Sequence, residues 1–92
     1  MQTEDREKIR INWVRLSQET PITNILAYFY QEGTFKKTTI EDILWERPSQ
    51  RSWIFLDTLQ RSGPRAFGVL VKALKECGKE DLAQLLEDGE AL

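Results

Sequence analysis

Few side chains in this sequence could carry chemistry. Cys77 is the single thiol, and none of the 92 residues is histidine. A cysteine nucleophile needs a base to take its proton and donors for the oxyanion. Histidine, the usual base near neutral pH, is missing. The common zinc sets built from cysteine and histidine are missing with it. Cys77 follows Leu70, Ala73 and Leu74 at helical spacing, so the thiol reads as a small core residue. No phosphate-binding glycine loop, dinucleotide fingerprint or calcium loop occurs. The expectation is a non-catalytic chain with no cofactor, no metal and no small-molecule substrate.

What remains is charge and tryptophan. Residues 1–20 carry four basic and four acidic groups, and residues 21–46 carry two and four. Residues 47–75 carry six and one, and residues 76–92 carry one and six. The blocks are therefore 0, −2, +5 and −5, which sum to the net charge of −2. Separated blocks of opposite sign suit pairing between protein surfaces, although solvated helix faces would have the same composition. A net negative chain is a poor binder of phosphate backbones, and Lys36-Lys37 is too short a basic run to change that.

The elements that must position these groups are helices. Residues 1–92 suit one domain with a single core. A first helix over 5–18 carries Ile9, Trp13 and Leu16. Thr20-Pro21 is a cap-and-start signal for a second, with Ile22, Ile25, Leu26, Phe29 and Tyr30, stopping near Gly33. Thr38 and Glu41 have capping-box spacing for a third, with Ile40, Ile43 and Leu44. Ser49 is placed to cap a fourth, lined by Ser52, Phe55, Leu56 and Leu59. Gly63-Pro64 ends it, through a left-handed glycine, and opens a fifth over 64–77. Gly78 separates that from a sixth over 79–88. The aromatic segments 28–35 and 53–56 favour strand, but the 3.6-residue period runs through both. Short connections imply an all-α, six-helix antiparallel bundle.

No run of about 18 apolar residues is present, so no membrane span is expected. The charged first ten residues lack a signal core, and one cysteine forms no internal disulfide; a cytoplasmic setting follows.

The run Gly63-Pro64-Arg65-Ala66-Phe67, then Ala73-Leu74, Gly78, Leu82-Ala83 and Leu85-Leu86, resembles a caspase recruitment domain of the death-fold superfamily, most like those of initiator caspases and their adaptors. Tyr30-Gln31-Glu32-Gly33, Phe35 and Ile40-Glu41-Asp42-Ile43 are similar to that family's second helix, loop and third helix, and residues 5–16 to its first. The resemblance implies homotypic binding to another such domain, or to itself, in apoptotic or inflammatory signalling. Adaptor, caspase prodomain and decoy all remain open.

In this family a basic surface on the first and fourth helices commonly meets an acidic one on a partner's second and third. Here the resemblance assigns Arg10, Arg15, Arg47 and Arg51 to the basic face, and Glu32, Glu41, Asp42 and Glu46 to the acidic face. Where several relatives place arginine within helices one and four, this chain has Trp13 and Trp53. Trp53 is thus a candidate aromatic anchor, while Trp13 shares a face with Ile9 and Leu16 and is expected to be buried. Arg61 and Arg65, at the corner between helices four and five, could make a second contact with Glu80 and Asp81 on another copy. The competing class is a helical DNA-binding domain, with helices five and six mimicking helix-turn-helix. The acidic last helix opposes it.

Overall fold

The computed structural model describes residues 1–88. Seven helices follow one another: α1 (Thr3–Ile11), α2 (Trp13–Glu19), α3 (Ile22–Gln31), α4 (Lys37–Trp45), α5 (Pro48–Gln60), α6 (Ala66–Glu76) and α7 (Glu80–Asp88). No strand occurs among the described residues, so the aromatic segments are helix and loop. The chain is all-α, with seven helices where the sequence suggested six.

The extra break falls at Asn12. Its side-chain Nδ2 donates to the Lys8 carbonyl at 2.9 Å, and its backbone N–H turns to the Arg10 carbonyl. The side chain thereby takes the acceptor that the continuing helical ladder would use. Leu16 N–H bonds the Asn12 carbonyl at 2.9 Å and the helix resumes as α2. The long first helix becomes two, with Ile9 and Leu16 still buried.

The caps also differ from the sequence reading. Thr20 ends α2 rather than capping α3, and its Oγ1 is buried without a hydrogen-bond partner. α4 starts at Lys37, ahead of Thr38. Phe35 and Ile40 then hold the two positions of a hydrophobic staple, and both join the core. Pro48 takes the first turn of α5, so Arg47 is the N-cap and Ser49 lies inside. α6 begins at Ala66, two residues after Pro64, and Gly63 does not have a positive φ. Gly33 and Gly78 do, at 71° and 77°. At both, paired reverse bonds close the helix end: Thr34 N–H to Phe29 and Gly33 N–H to Tyr30, then Lys79 N–H to Leu74 and Gly78 N–H to Lys75.

One core joins the helices. Phe29, Phe35 and Phe55 form an aromatic centre, with ring centroids 4.7 to 6.1 Å apart. α5 runs against α1, α2, α3 and α4, while α6 bridges α3 and α7. Leu70, Leu74, Leu82 and Leu86 bury the α6–α7 contact. This arrangement leaves α2 with α5, and α3 with α4, as two separate surface pairs.

Candidate protein-binding surfaces

The four candidate arginines divide by what they already hold. Arg51, half-buried in α5, donates from Nη2 to the Leu44 carbonyl at 2.8 Å and from Nε to the Glu46 carbonyl at 3.0 Å. It closes the C-terminus of α4, where helix carbonyls lack partners. Arg15 on α2 joins Glu19 at 2.9 Å and Asp81 of α7 at 2.8 Å. Arg10 is exposed on α1 and pairs with Glu7 one turn earlier. The hydrogen bond from Arg10 holds the Glu7 carboxyl below its ordinary value and raises that of the guanidinium in return. Arg47 is exposed and makes no ion pair among the described residues.

The acidic candidates divide similarly. Glu41 and Asp42 are adjacent and exposed on α4, with no ion pair among the described residues. Glu32 is half-buried at the end of α3, 3.9 Å from Arg65 and 4.0 Å from Lys72. Glu46 is half-buried and gives its backbone carbonyl to Arg51. At the proposed second contact, Arg61 pairs with Asp57 at 3.0 Å and Asp81 with Arg15, whereas Glu80 is exposed and holds nothing described. Among the described residues, Arg47 on the basic side and Glu41, Asp42 and Glu80 on the acidic side hold no ion pair, Arg65 comes only within 3.9 Å of Glu32, and Arg10 is exposed but bound to Glu7.

The tryptophans separate cleanly. Trp13 is half-buried, with its Nε1 enclosed and without a hydrogen-bond partner. Trp53 stands against it edge-to-face, 4.8 Å between centroids, and is 58 % exposed. Tyr30, expected on the apolar face of its helix, is instead 56 % exposed; two further apolar side chains stand in solvent, Trp45 at the end of α4, 88 % exposed, and Val14 beside Trp13, 67 % exposed. Both sit off the stripes that face the core, which is the signal that could have found them.

A groove of about 430 Å³ between α3 and α4 was also unforeseen, lined mainly by apolar atoms of Leu26, Ala27, Ile40 and Leu44. Cys77 is half-buried against the core beside Tyr28 and Glu76. Burial, then the Glu76 charge, pushes its thiol above the ordinary 9.0, so at neutral pH it is a poor nucleophile. No cluster among the described residues could hold a metal ion, and no described helix is long and apolar enough to cross a membrane.

These surfaces present charged and aromatic groups on neighbouring helices. Comparison with protein-family models gives one finding of matching scope, the caspase recruitment domain, over residues 6–89. The match spans nearly all of a chain that is helical from α1 to α7, and on it this protein belongs to the caspase recruitment domain family, modules that bind one another domain to domain.

Proposed function

We propose that this domain recruits a caspase, or the activator of one, in the cytoplasm by binding a second caspase recruitment domain in apoptotic or inflammatory signalling. The carrying observation is the pair Glu41 and Asp42, exposed on α4 with no ion pair among the described residues, in a chain that also exposes Arg10 on α1 and Arg47 at the N-cap of α5. One domain's Arg10 and Arg47, flanked by Trp53, meet Glu41 and Asp42 of the next. Arg65 and Glu80 supply the second contact between copies. Assembly would work by concentration: catalytic domains tethered to such modules meet intramolecularly once the modules dock.

Asp42→Lys and Arg47→Glu test this, because neither side chain has a described partner within the chain. In a pull-down or calorimetric titration against a panel of caspase recruitment domains, each reversal weakens binding at least about tenfold, as does raised salt. Arg65→Glu shifts the particle-size distribution of any higher assembly downward. Binding that survives both Asp42→Lys and Arg47→Glu contradicts the interface. A shifted band with duplex DNA at low salt would favour the helix-turn-helix alternative instead.

A further inference from the structure

The spacing of Thr38 and Glu41 reads in the sequence as a capping box, and the fold leaves it unused. Lys36 is the N-cap of α4, and no side-chain bond caps that turn. Thr38 lies inside the helix, exposed, and its hydroxyl makes no hydrogen bond among the described residues. Glu41 and Asp42 follow at i+3 and i+4, so the alcohol and both carboxylates share one exposed face of α4.

We propose that Thr38 is the phosphoacceptor of a serine/threonine kinase that reads acidic residues beyond its target, and that the phosphate strengthens the α4 face as an anionic docking surface. The effect on docking rests on the recruitment reading above; the phosphoacceptor site does not. Kinases choose substrates partly by charge pattern, and a carboxylate three residues past the hydroxyl suits a basic substrate cleft. Among the described residues, the exposed serines and threonines are Thr3, Thr23, Thr38 and Ser49. Three positions on stand Arg6, Leu26, Glu41 and Ser52 in turn, so Thr38 alone carries the mark. Thr39 has Asp42 at the same spacing, but it is half-buried, in the depression it shares with Ile43 and Ile54.

Access does not require the bundle to open. α4 follows directly on the connection 32–36, and its uncapped first turn frays at small cost while Ile43 holds the later turns to the core. In the transfer, Oγ1 of Thr38 attacks the γ-phosphorus of a nucleoside triphosphate. The bond from that phosphorus to the β–γ bridging oxygen breaks, the diphosphate leaves, and the hydroxyl proton passes to the kinase's catalytic carboxylate. The product adds a charge of about −1.5 to −2 one turn before Glu41 and Asp42. Lys36 and Lys37 flank it, and the first turn of α4 holds no acid to oppose it, so the helix tolerates the phosphate.

The native chain, incubated with purified casein kinase 2 and ATP–magnesium, tests the site. One phosphoryl group is expected, mapped to Thr38 by mass spectrometry. Thr38→Ala takes up none, Thr39→Val is labelled as fast as the parent, and Glu41→Gln is labelled at least about tenfold more slowly. Far-UV circular dichroism verifies each fold. The phosphorylated chain then binds another caspase recruitment domain at least about threefold more tightly than the unmodified chain at about 0.1 M salt, and the difference fades towards about 1 M. No incorporation, label on another residue, or a Glu41→Gln rate equal to the parent's would each overturn the site. Label on Thr38 with unchanged or weaker binding overturns its effect on docking. Label on Thr38 with neither form bound by any domain of the family overturns the recruitment reading and leaves the site standing; binding without label does the reverse.

Discussion

Arg51 shows how a residue's charge and its use can part company. The sequence displays it as one of a basic set, suited to a partner's carboxylates. In the fold its Nε and Nη2 donate to the Glu46 and Leu44 carbonyls at the end of α4. A charged donor to a carbonyl contributes about 1.5–3 kcal/mol, so Arg51→Ala is predicted to lower the stability read from urea unfolding by about 2 kcal/mol. Lysine, with one compact head instead of a fork, recovers only part of it. Arg47→Ala, with no described partner, changes stability by less than about 0.5 kcal/mol. Loss of binding in an Arg51 variant would therefore report on α4 as much as on an interface. Nothing in the spelling of the chain separates these two arginines, because the difference lies in which helix end each one reaches.

Cys77 gives a second residue-scale prediction. Burial and Glu76 raise its thiol above 9.0, and burial raises the Tyr28 hydroxyl above 10.0. A raised folded value means the folded state keeps its proton longer than the unfolded state does. The stabilising contribution is whole below the unfolded value and is lost as pH rises through the folded one. Stability should thus decline on the alkaline side, first past the ordinary thiol value and then past that of tyrosine. Replacing Cys77 with Ala should flatten the first part of the decline. Alkylation by iodoacetamide at pH 8 should run slower in the native protein than in urea. Equal rates would mean the thiol is not shielded.

At the scale of the helix, the apolar periods were legible and the ends were not. Ile25, Leu26 and Phe29, and Leu70, Ala73 and Leu74, lie buried where their spacing placed them. Ser49, Thr38 and Thr20 looked like caps because their chemistry suits the role. Pro48 and the Phe35–Ile40 staple positions moved the true starts, since packing and a preset φ outweigh one side-chain hydrogen bond. The two glycines at positive φ stand where the sequence put helix ends, while Gly63 does not use that freedom.

These assignments can be tested against one another. An N-cap serine replaced by alanine costs about 1 kcal/mol, yet Ser49→Ala should cost less than about 0.5 kcal/mol because Ser49 is not the cap. Gly78→Ala should cost about 1 kcal/mol from backbone strain alone, since no atom lies within 4 Å of the added Cβ. Denaturant melts of the two variants give the comparison, and a larger loss at Ser49 would overturn the cap assignment. α7 depends on burial, so Leu86→Ala should cost about 2–5 kcal/mol. The partly exposed Arg15–Asp81 bridge between α2 and α7 is worth at most about 1 kcal/mol.

For the whole molecule, the bundle and its family were readable because the evidence for them is local: apolar stripes, glycine stops and the run from Gly63 to Leu86. The binding faces were readable only as a pool of charges. Which members are free depends on contacts between elements far apart in sequence, such as Arg15 with Asp81 across 66 positions. The α3–α4 groove was invisible for the same reason, since neither helix alone contains it. Among the described residues, α7 displays Glu80, Asp81, Glu87 and Asp88 at the surface, which would repel a phosphate backbone where a recognition helix should attract it.

The central claim is that this chain acts by docking its α4 acids and its arginine–tryptophan edge against another bundle of the same kind. Nitrogen-15 shift mapping during titration with an unlabelled caspase recruitment domain tests it most directly. The prediction is saturable shifts confined to Glu41 and Asp42 on α4, or to Arg10, Arg47 and the Trp53 indole. Shifts centred elsewhere on the bundle, or none with any domain of the family, would contradict it.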